Sequence, residues 1–179
     1  VTSVTGQDEL KNPKVGGRDI ILDVHALDET GEEMDVEVQT NSKGAHVKRA
    51  RYHSSMVDSR MLKAGQDFQE IKDSYVIFIY KHDKFEKGLP IYHVDRYINE
   101  LQEPFADGSH IIYVNGNYKG DDEIGRLMRD FHQVDPGKMH YSELARGVSH
   151  LKGTGGQENM CEAVQKYAEE YAKEYAKEY

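Results

Sequence analysis

Apolar and polar residues alternate along residues 18–40, and this alternation predicts two β-strands joined by a turn. The turn falls within residues 28–33, where Gly31 can adopt a positive φ. One face of the hairpin is expected to carry Ile20, Leu22, Val24, Ala26, Met34, Val36 and Val38. The opposite face is expected to carry Ile21, Asp23, His25, Asp35, Glu37 and Gln39, with Asp23 roughly opposite Glu37.

The pattern after the hairpin predicts further helices and strands. The expected helices cover residues 45–64, from Asp121 or Asp122 to about 133, and 141–150. The expected strands cover residues 75–80, 91–97 and 110–114, the first of them a continuous apolar run typical of a buried strand. Residues 1–17 are polar and indicate a loop or a frayed strand.

The chain is expected to hold one domain over residues 1–150, followed by a linker and a C-terminal helix over residues 151–179. The glycine-rich segment 152–157 lacks the Gly-Lys-Ser/Thr ending of a phosphate loop and indicates a flexible connector. Beyond it, tyrosines recur every four residues from Tyr167 to Tyr179, which places them on one side of a helix. This helix is a candidate surface for homo-oligomer formation.

Composition narrows the classes of function. The net charge of −9 argues against a protein that coats nucleic acid by bulk electrostatics. It does not exclude an enzyme with one local basic patch, and residues 43–53 contain four cations and no acid. No apolar run is long enough to span a membrane, and no secretory signal is evident. A single cysteine, Cys161, is compatible with the reducing cytoplasm.

The polar face of the hairpin suggests a metal site. Carboxylates on adjacent strands, such as Asp23 and Glu37, can share a Mg²⁺ ion, which prefers oxygen ligands. Such an ion neutralises the charge that accumulates during phosphodiester hydrolysis. Gln39 projects in the same direction as Glu37 and could orient the attacking water. Strand parity alone also fits a solvent-exposed face, but the apolar opposite face and the basic segment that follows favour the metal site.

The ordered set of motifs resembles a bacterial family of recombination-promoting nucleases and transposases in the PD-(D/E)XK superfamily. The resemblance covers about residues 15–150. The residues that carry it are Ile21 to Val24, Asp28 to Gly31, Asp35 to Gln39, Lys48 to Tyr52, Asp58, Tyr75 to Ile79 and Phe105 to Gly108.

The resemblance implies an α/β fold with a restriction-endonuclease-like core: a mixed central β-sheet flanked by helices, here with a C-terminal helical extension. It also implies DNA cleavage with Mg²⁺, or with Mn²⁺ in its place. Asp23 and Glu37 match the metal-binding acids, the backbone carbonyl of Val38 is an expected further ligand, and Gln39 stands where many superfamily members have lysine. The leading helix of the superfamily is not evident, and Glu9 is a weak substitute for its acid.

Several roles stay open at this point. Lys43, Lys48, Arg49, Arg51 and Tyr52 are the expected DNA-binding residues. Arg49 and Tyr52 could equally brace the carboxylates or pack the helix on the sheet, and the lysines could be solvated charges. His25 could touch the site but is expected at the surface, and Asp35 could support the metal-binding acids but is expected at an exposed strand end. The sequence therefore predicts a Mg²⁺-dependent DNA endonuclease of low sequence specificity, linked to recombination. The alternative is an inactive nuclease-like module that binds DNA or protein.

Overall fold

A computed structural model describes residues 1–154 and consists of a central β-sheet with helices on its faces. The strands are β1 (Ser3–Leu10), β2 (Ile20–Leu27), β3 (Glu33–Gln39), β4 (Ser74–Tyr80), β5 (Ile91–Val94), β6 (Tyr97–Ile98), β7 (Glu103–Pro104) and β8 (Ser109–Asn115). The α-helices are α1 (Val47–Met61), α2 (Glu123–Phe131) and α3 (Ser142–Thr154), and single 3₁₀ turns cover Phe68–Glu70 and Pro136–Lys138.

Six strands form one mixed sheet in the order β1-β2-β3-β4-β8-β5, and β6 pairs with β7 separately. The strands β1, β2 and β3 are antiparallel, whereas β3, β4 and β8 run parallel and β5 returns antiparallel to β8. The predicted α/β fold with a mixed sheet flanked by helices is confirmed, and the architecture is consistent with a restriction-endonuclease-like core.

The central strand β4 explains the continuous apolar run in the sequence. Val76 and Phe78 belong to a buried cluster that includes Ala50 of α1. Ile77 and Ile79, which point the other way, pack in the cluster that contains Met128 of α2. Because both faces of β4 are covered, neither face needs polar residues.

Local chemistry sets the boundaries of the elements next to the site. The carboxylate of Asp28 accepts hydrogen bonds from the backbone N–H groups of Thr30 and Glu32, and Gly31 completes the β2–β3 turn at φ 87°. His46 caps α1 by accepting a hydrogen bond from the Lys48 N–H. The helix is shorter than the predicted 45–64.

The N-terminal segment differs from the expectation of a loop or frayed strand, because Ser3–Leu10 pairs with β2 along its length. The short acidic and polar side chains of β1 hide this pairing in the sequence. The helix α3 continues to Thr154, into the segment expected to be a connector. The division at residue 150 stays a prediction, and the tyrosine-striped helix lies outside the described residues.

The expected common apolar face of the β2–β3 hairpin is wrong. Ile20 and Leu22 pack in a cluster with Met56 of α1, whereas Val36 and Val38 pack in the α2 cluster on the other face. The alternation is disturbed at Asp23, which is skipped in the pairing of β2 with β1 and lies just beyond the end of the pairing of β2 with β3. Opposite this point Gln7 has a φ of 54°, so the irregularity spans two strands.

None of the helices in the part of the chain that the structure describes has the length and apolar character needed to cross a membrane.

Candidate active site

Asp23 and Glu37 interlock where β2 and β3 separate. The paired residues of the two strands end at Val24 and Val36. Beyond that point the Asp23 N–H donates to Oε1 of Glu37 at 3.0 Å, and the Val38 N–H donates to Oδ2 of Asp23 at 3.1 Å. Side-chain carboxylates thus replace backbone carbonyls as acceptors. The structure brings together the two acids that the turn register predicted.

Two further side chains hold the second oxygen of Glu37. The Gln39 amide donates to Oε2 from Nε2 at 3.1 Å, and Arg49 of α1 donates to the same oxygen at 2.6 Å. Of the two roles left open for Arg49, the structure supports bracing of the carboxylates. Gln39 also lies against the turn after β3: a Cβ atom on Gly44 would be 1.9 Å from the Gln39 Oε1.

Behind Glu37 lies a buried pair that the sequence did not predict, Asp35 and His53. Nδ1 of His53 is 2.8 Å from Oδ2 of Asp35, and Nε of Arg49 donates to Nε2 of His53 at 3.2 Å. Since Nε2 accepts a hydrogen bond, the proton of the neutral imidazole belongs on Nδ1, facing Asp35. Arg49 and His53 are one helical turn apart, so α1 presents both to the acids of β3.

Burial dominates the electrostatics of these groups. It raises the pKa of Asp35 to about 7, against a hydrogen bond from the Glu37 carboxyl that lowers it. Burial likewise raises the pKa of Glu37 to about 7, and the charges of Asp35 and Asp23 raise it further. The pKa of Asp23 is raised by burial, and that of His53 is lowered by burial. Three carboxyls in one buried place therefore hold negative charge poorly without a cation.

We expect the contribution of Asp35 and Glu37 to the free energy of unfolding, measured without divalent cations, to fall as pH rises from about 4 to about 7. Asp35 and Glu37 keep their protons in the folded protein up to a pKa of about 7, whereas the unfolded chain releases them near pH ~4. The folded state therefore binds more protons in this window. The opposite trend is favoured by the groups with a lowered pKa, so the contribution of the pair is measured as a difference between proteins. These groups are His53, Asp19, Asp28, Asp83, Asp122 and Glu143.

Urea unfolding of the wild-type protein and Asp35→Asn at a series of pH values checks this dependence. The variant should show the shallower fall, because one raised carboxyl is gone and its charge no longer raises the pKa of Glu37. The same pH dependence in both proteins, or a steeper fall in the variant, would contradict the assignment.

The site opens into a cavity of about 870 Å³. Its lining includes Asp23, Gln39, Gly44, Arg49 and His53 together with three other predicted residues, Lys43, Lys48 and Tyr52. Arg51, predicted to bind DNA, is exposed and is not among the lining residues. Arg18 adds a cation that the sequence did not single out.

Tyr52 has a structural role. Its hydroxyl donates to the Arg18 carbonyl at 2.6 Å and accepts from the side chain of Asn12 at 2.7 Å. These bonds tie the segment between β1 and β2 to α1. Of the alternatives for Tyr52, the structure therefore supports packing of the helix.

Two expectations for the polar face are wrong. Asp35 is fully buried and not an exposed strand-end acid. His25 has a side chain only 14% exposed, with ring nitrogens 2.9 Å from Asp8 and 3.0 Å from Glu33. The parity of Asp35 with Glu37, and the four-residue spacing of Arg49 and His53, were the available signals for the buried pair.

The donor chemistry of the cluster fits a hard divalent cation. Asp23 lines the cavity, and the fully buried Glu37 lies next to it, so the two offer the carboxylate oxygens that Mg²⁺ and Mn²⁺ require. A second set, formed by Asp35, Glu37 and His53, has ligand atoms within 4.8 Å of one another, but all three residues are buried. Oδ1 of Asp35 is buried and has no hydrogen-bond partner in the described part of the chain, so a cation could bind it.

Comparison with known proteins identifies one family. The model of the PD-(D/E)XK nuclease family transposase matches residues 4–118, from β1 to just beyond β8. The matched range contains every residue of the cluster described above. No curated protein matches the chain significantly. No solved structure matches it significantly.

Proposed function

The chain belongs to the PD-(D/E)XK nuclease family of transposases, and from this membership we propose that it is a metal-dependent DNA endonuclease. The observation that carries the proposal is the interlocked pair of Asp23 and Glu37, of which Asp23 lines a cavity with several basic residues and Glu37 is buried next to it. Mg²⁺ is the proposed cation, with Mn²⁺ as a substitute, and Asp23 and Glu37 are its proposed protein ligands. The Val38 carbonyl remains a predicted further ligand.

When bound, the cation supplies electrostatic stabilisation of the charge that develops on the phosphoryl oxygens. The chain's own residues do the positioning. The Val38 N–H holds the Asp23 carboxylate and the Asp23 N–H holds the Glu37 carboxylate, so the two acids are positioned next to each other before a cation binds. Gln39 donates to Glu37 through Nε2, which leaves its Oε1 to accept a hydrogen bond from a water and orient it.

The cations around the cavity bind the DNA backbone in this proposal. Lys43, Lys48 and Arg18 line the cavity and can contact phosphates without reading base identity. None of these contacts specifies sequence, so low sequence specificity is proposed. A role in DNA recombination and a cytoplasmic location are proposed on the family's association with mobile elements and on the sequence.

Calorimetric titration with Mg²⁺ and Mn²⁺ tests the metal site itself. The wild-type protein should bind either ion, and Asp23→Asn should weaken binding about tenfold or more, because one of two carboxylate charges is lost. Asp35→Asn should weaken it less, since Asp35 lies behind Glu37. A larger loss of affinity in Asp35→Asn than in Asp23→Asn would indicate that the cation binds to Asp35, Glu37 and His53 instead. Failure of wild-type protein to bind either ion would remove the basis for an enzyme.

The second candidate function is a nuclease-like module that binds DNA or protein without cleavage. One observation favours it: both oxygens of Glu37 already accept hydrogen bonds from protein groups, including a short ion pair with Arg49. For a cation to bind, Arg49 must give way. In a binding module this ion pair would be permanent, and metal titration would show no binding.

A further inference from the structure

A second group of cations lies outside the cavity of the candidate active site. The loops that follow β4 and β8 enclose, with α2, a cavity of about 540 Å³, and a depression of about 390 Å³ adjoins it. Arg129 and Gln133 line both, so the two are continuous. The cations of this α2 basic surface are Lys81, Lys119, Arg126, Arg129 and Lys138.

The charge of this surface opposes that of the whole chain, which has 32 acidic residues against 23 basic ones. Asp130 is the one acid among its lining residues in the described part of the chain. That carboxylate is buried and accepts the N–H groups of His140 and Tyr141. Asp121 and Asp135 at the rim form exposed ion pairs, and such pairs are weak enough for a polyanion to replace. Asp122, also at the rim, caps α2 and accepts a hydrogen bond from the Tyr118 hydroxyl.

The backbone connects this surface to the active site. Gln39 is paired with Tyr80, and Tyr80 with Asn115, so the loops after β4 and β8 follow at the same end of the sheet as Gln39. The N–H of Lys81 donates to the Gln39 carbonyl at 3.0 Å. Adjacent strands are about 4.8 Å apart, so the loop after β8 begins roughly 10 Å from Gln39. A duplex that reaches the active site could therefore also place neighbouring phosphates at this loop.

We propose that the α2 basic surface binds the phosphate backbone of the DNA duplex, within a few nucleotides of the phosphate at Gln39. This inference rests on the proposed nuclease function and extends its substrate footprint to the opposite side of β4 from α1. The lining suits phosphates more than a protein partner, because its lysines and amides are typical of backbone contacts. Protein interfaces are instead depleted in lysine and enriched in aromatic residues, and here the lining has one tyrosine, Tyr118.

Salt-dependent DNA binding tests the proposal with the full chain. Fluorescence anisotropy of a labelled duplex in EDTA compares wild-type protein with the double variant Lys119→Gln/Arg126→Gln. Each lost phosphate contact should make the dependence of log K on log salt shallower by about 0.9, and the two together should lower affinity by about tenfold or more. For DNA cleavage in Mg²⁺, the KM of Lys119→Gln/Arg126→Gln should exceed that of the wild-type protein, while kcat at saturating DNA stays unchanged.

The matched control is Lys63→Gln/Lys72→Gln, which removes the same charge from two exposed lysines. Lys72 precedes β4 and therefore lies at the opposite end of the sheet. DNA binding by this control variant should depend on salt as steeply as DNA binding by the wild-type protein. Equal slopes in both double variants would overturn the proposal, even if the protein cleaves DNA. A shallower slope for Lys119→Gln/Arg126→Gln alone, in a protein that does not cleave, would support this surface and refute the nuclease.

Discussion

The variant Glu37→Gln is expected to lose DNA cleavage by about 10³-fold or more while it keeps its fold. Glutamine preserves the size of the side chain but removes the negative charge that a divalent cation needs. The fold should persist because the replaced group is a buried carboxyl whose pKa is raised to about 7, so its ionised form is costly in the metal-free protein. Single-turnover cleavage of a labelled duplex with Mg²⁺, alongside thermal unfolding, measures both effects.

The control for Glu37→Gln is Glu29→Gln in the turn of the same hairpin. Glu29 is exposed, and its replacement by glutamine removes the same charge as Glu37→Gln. The Glu29→Gln variant should cleave DNA at the wild-type rate. If Glu37→Gln retained cleavage within a few-fold of the wild-type protein, the carboxylate would not serve a cation. Equal losses in both variants would instead indicate a general effect of charge.

The variant Gly44→Ala is expected to lower kcat by about 10²-fold, through displacement of Gln39. Its added Cβ would lie 1.9 Å from Oε1 and 2.8 Å from Cδ of Gln39, closer than atoms can approach. The turn cannot easily move, because the Gly44 N–H is bonded to the Asn41 side chain at 2.8 Å. The flexible amide of Gln39 must therefore shift, and with it the water that it orients. DNA binding in EDTA should be unchanged.

A double-mutant cycle separates this effect from a loss of folding. In Gln39→Ala the side chain that Gly44 contacts is absent, so adding Gly44→Ala should lower kcat no further. Gly147→Ala is the control for an added methyl group, since its Cβ would meet nothing within 4 Å. Full additivity of Gln39→Ala and Gly44→Ala would show that Gly44 does not act through Gln39.

The central pair of the site was predictable because it depends on local sequence. The length of the turn around Gly31 sets the register of β2 against β3, and that register places Asp23 beside Glu37. The apolar run of β4 and the cap of α2 at Asp122 are likewise encoded in consecutive residues. These features need no knowledge of distant contacts.

The rest of the site depends on contacts between distant segments. Asp35 is buried because His53, eighteen positions later, hydrogen-bonds to it from α1. The irregularity at Asp23 needs β1, whose polar sequence does not indicate a strand. The α2 basic surface likewise combines residues after β4, after β8 and from α2. Periodicity within one element cannot predict which polar side chains another element will cover.

Cleavage of supercoiled plasmid by the wild-type protein and by Asp23→Asn, in Mg²⁺ or in EDTA, is the most direct test of a metal-dependent nuclease at this site. The account predicts nicked or linear DNA only for the wild-type protein in Mg²⁺. Asp23→Asn should leave the plasmid supercoiled while it still binds DNA. Cleavage in EDTA, undiminished cleavage by Asp23→Asn, or an intact plasmid with folded wild-type protein that binds DNA would each contradict it.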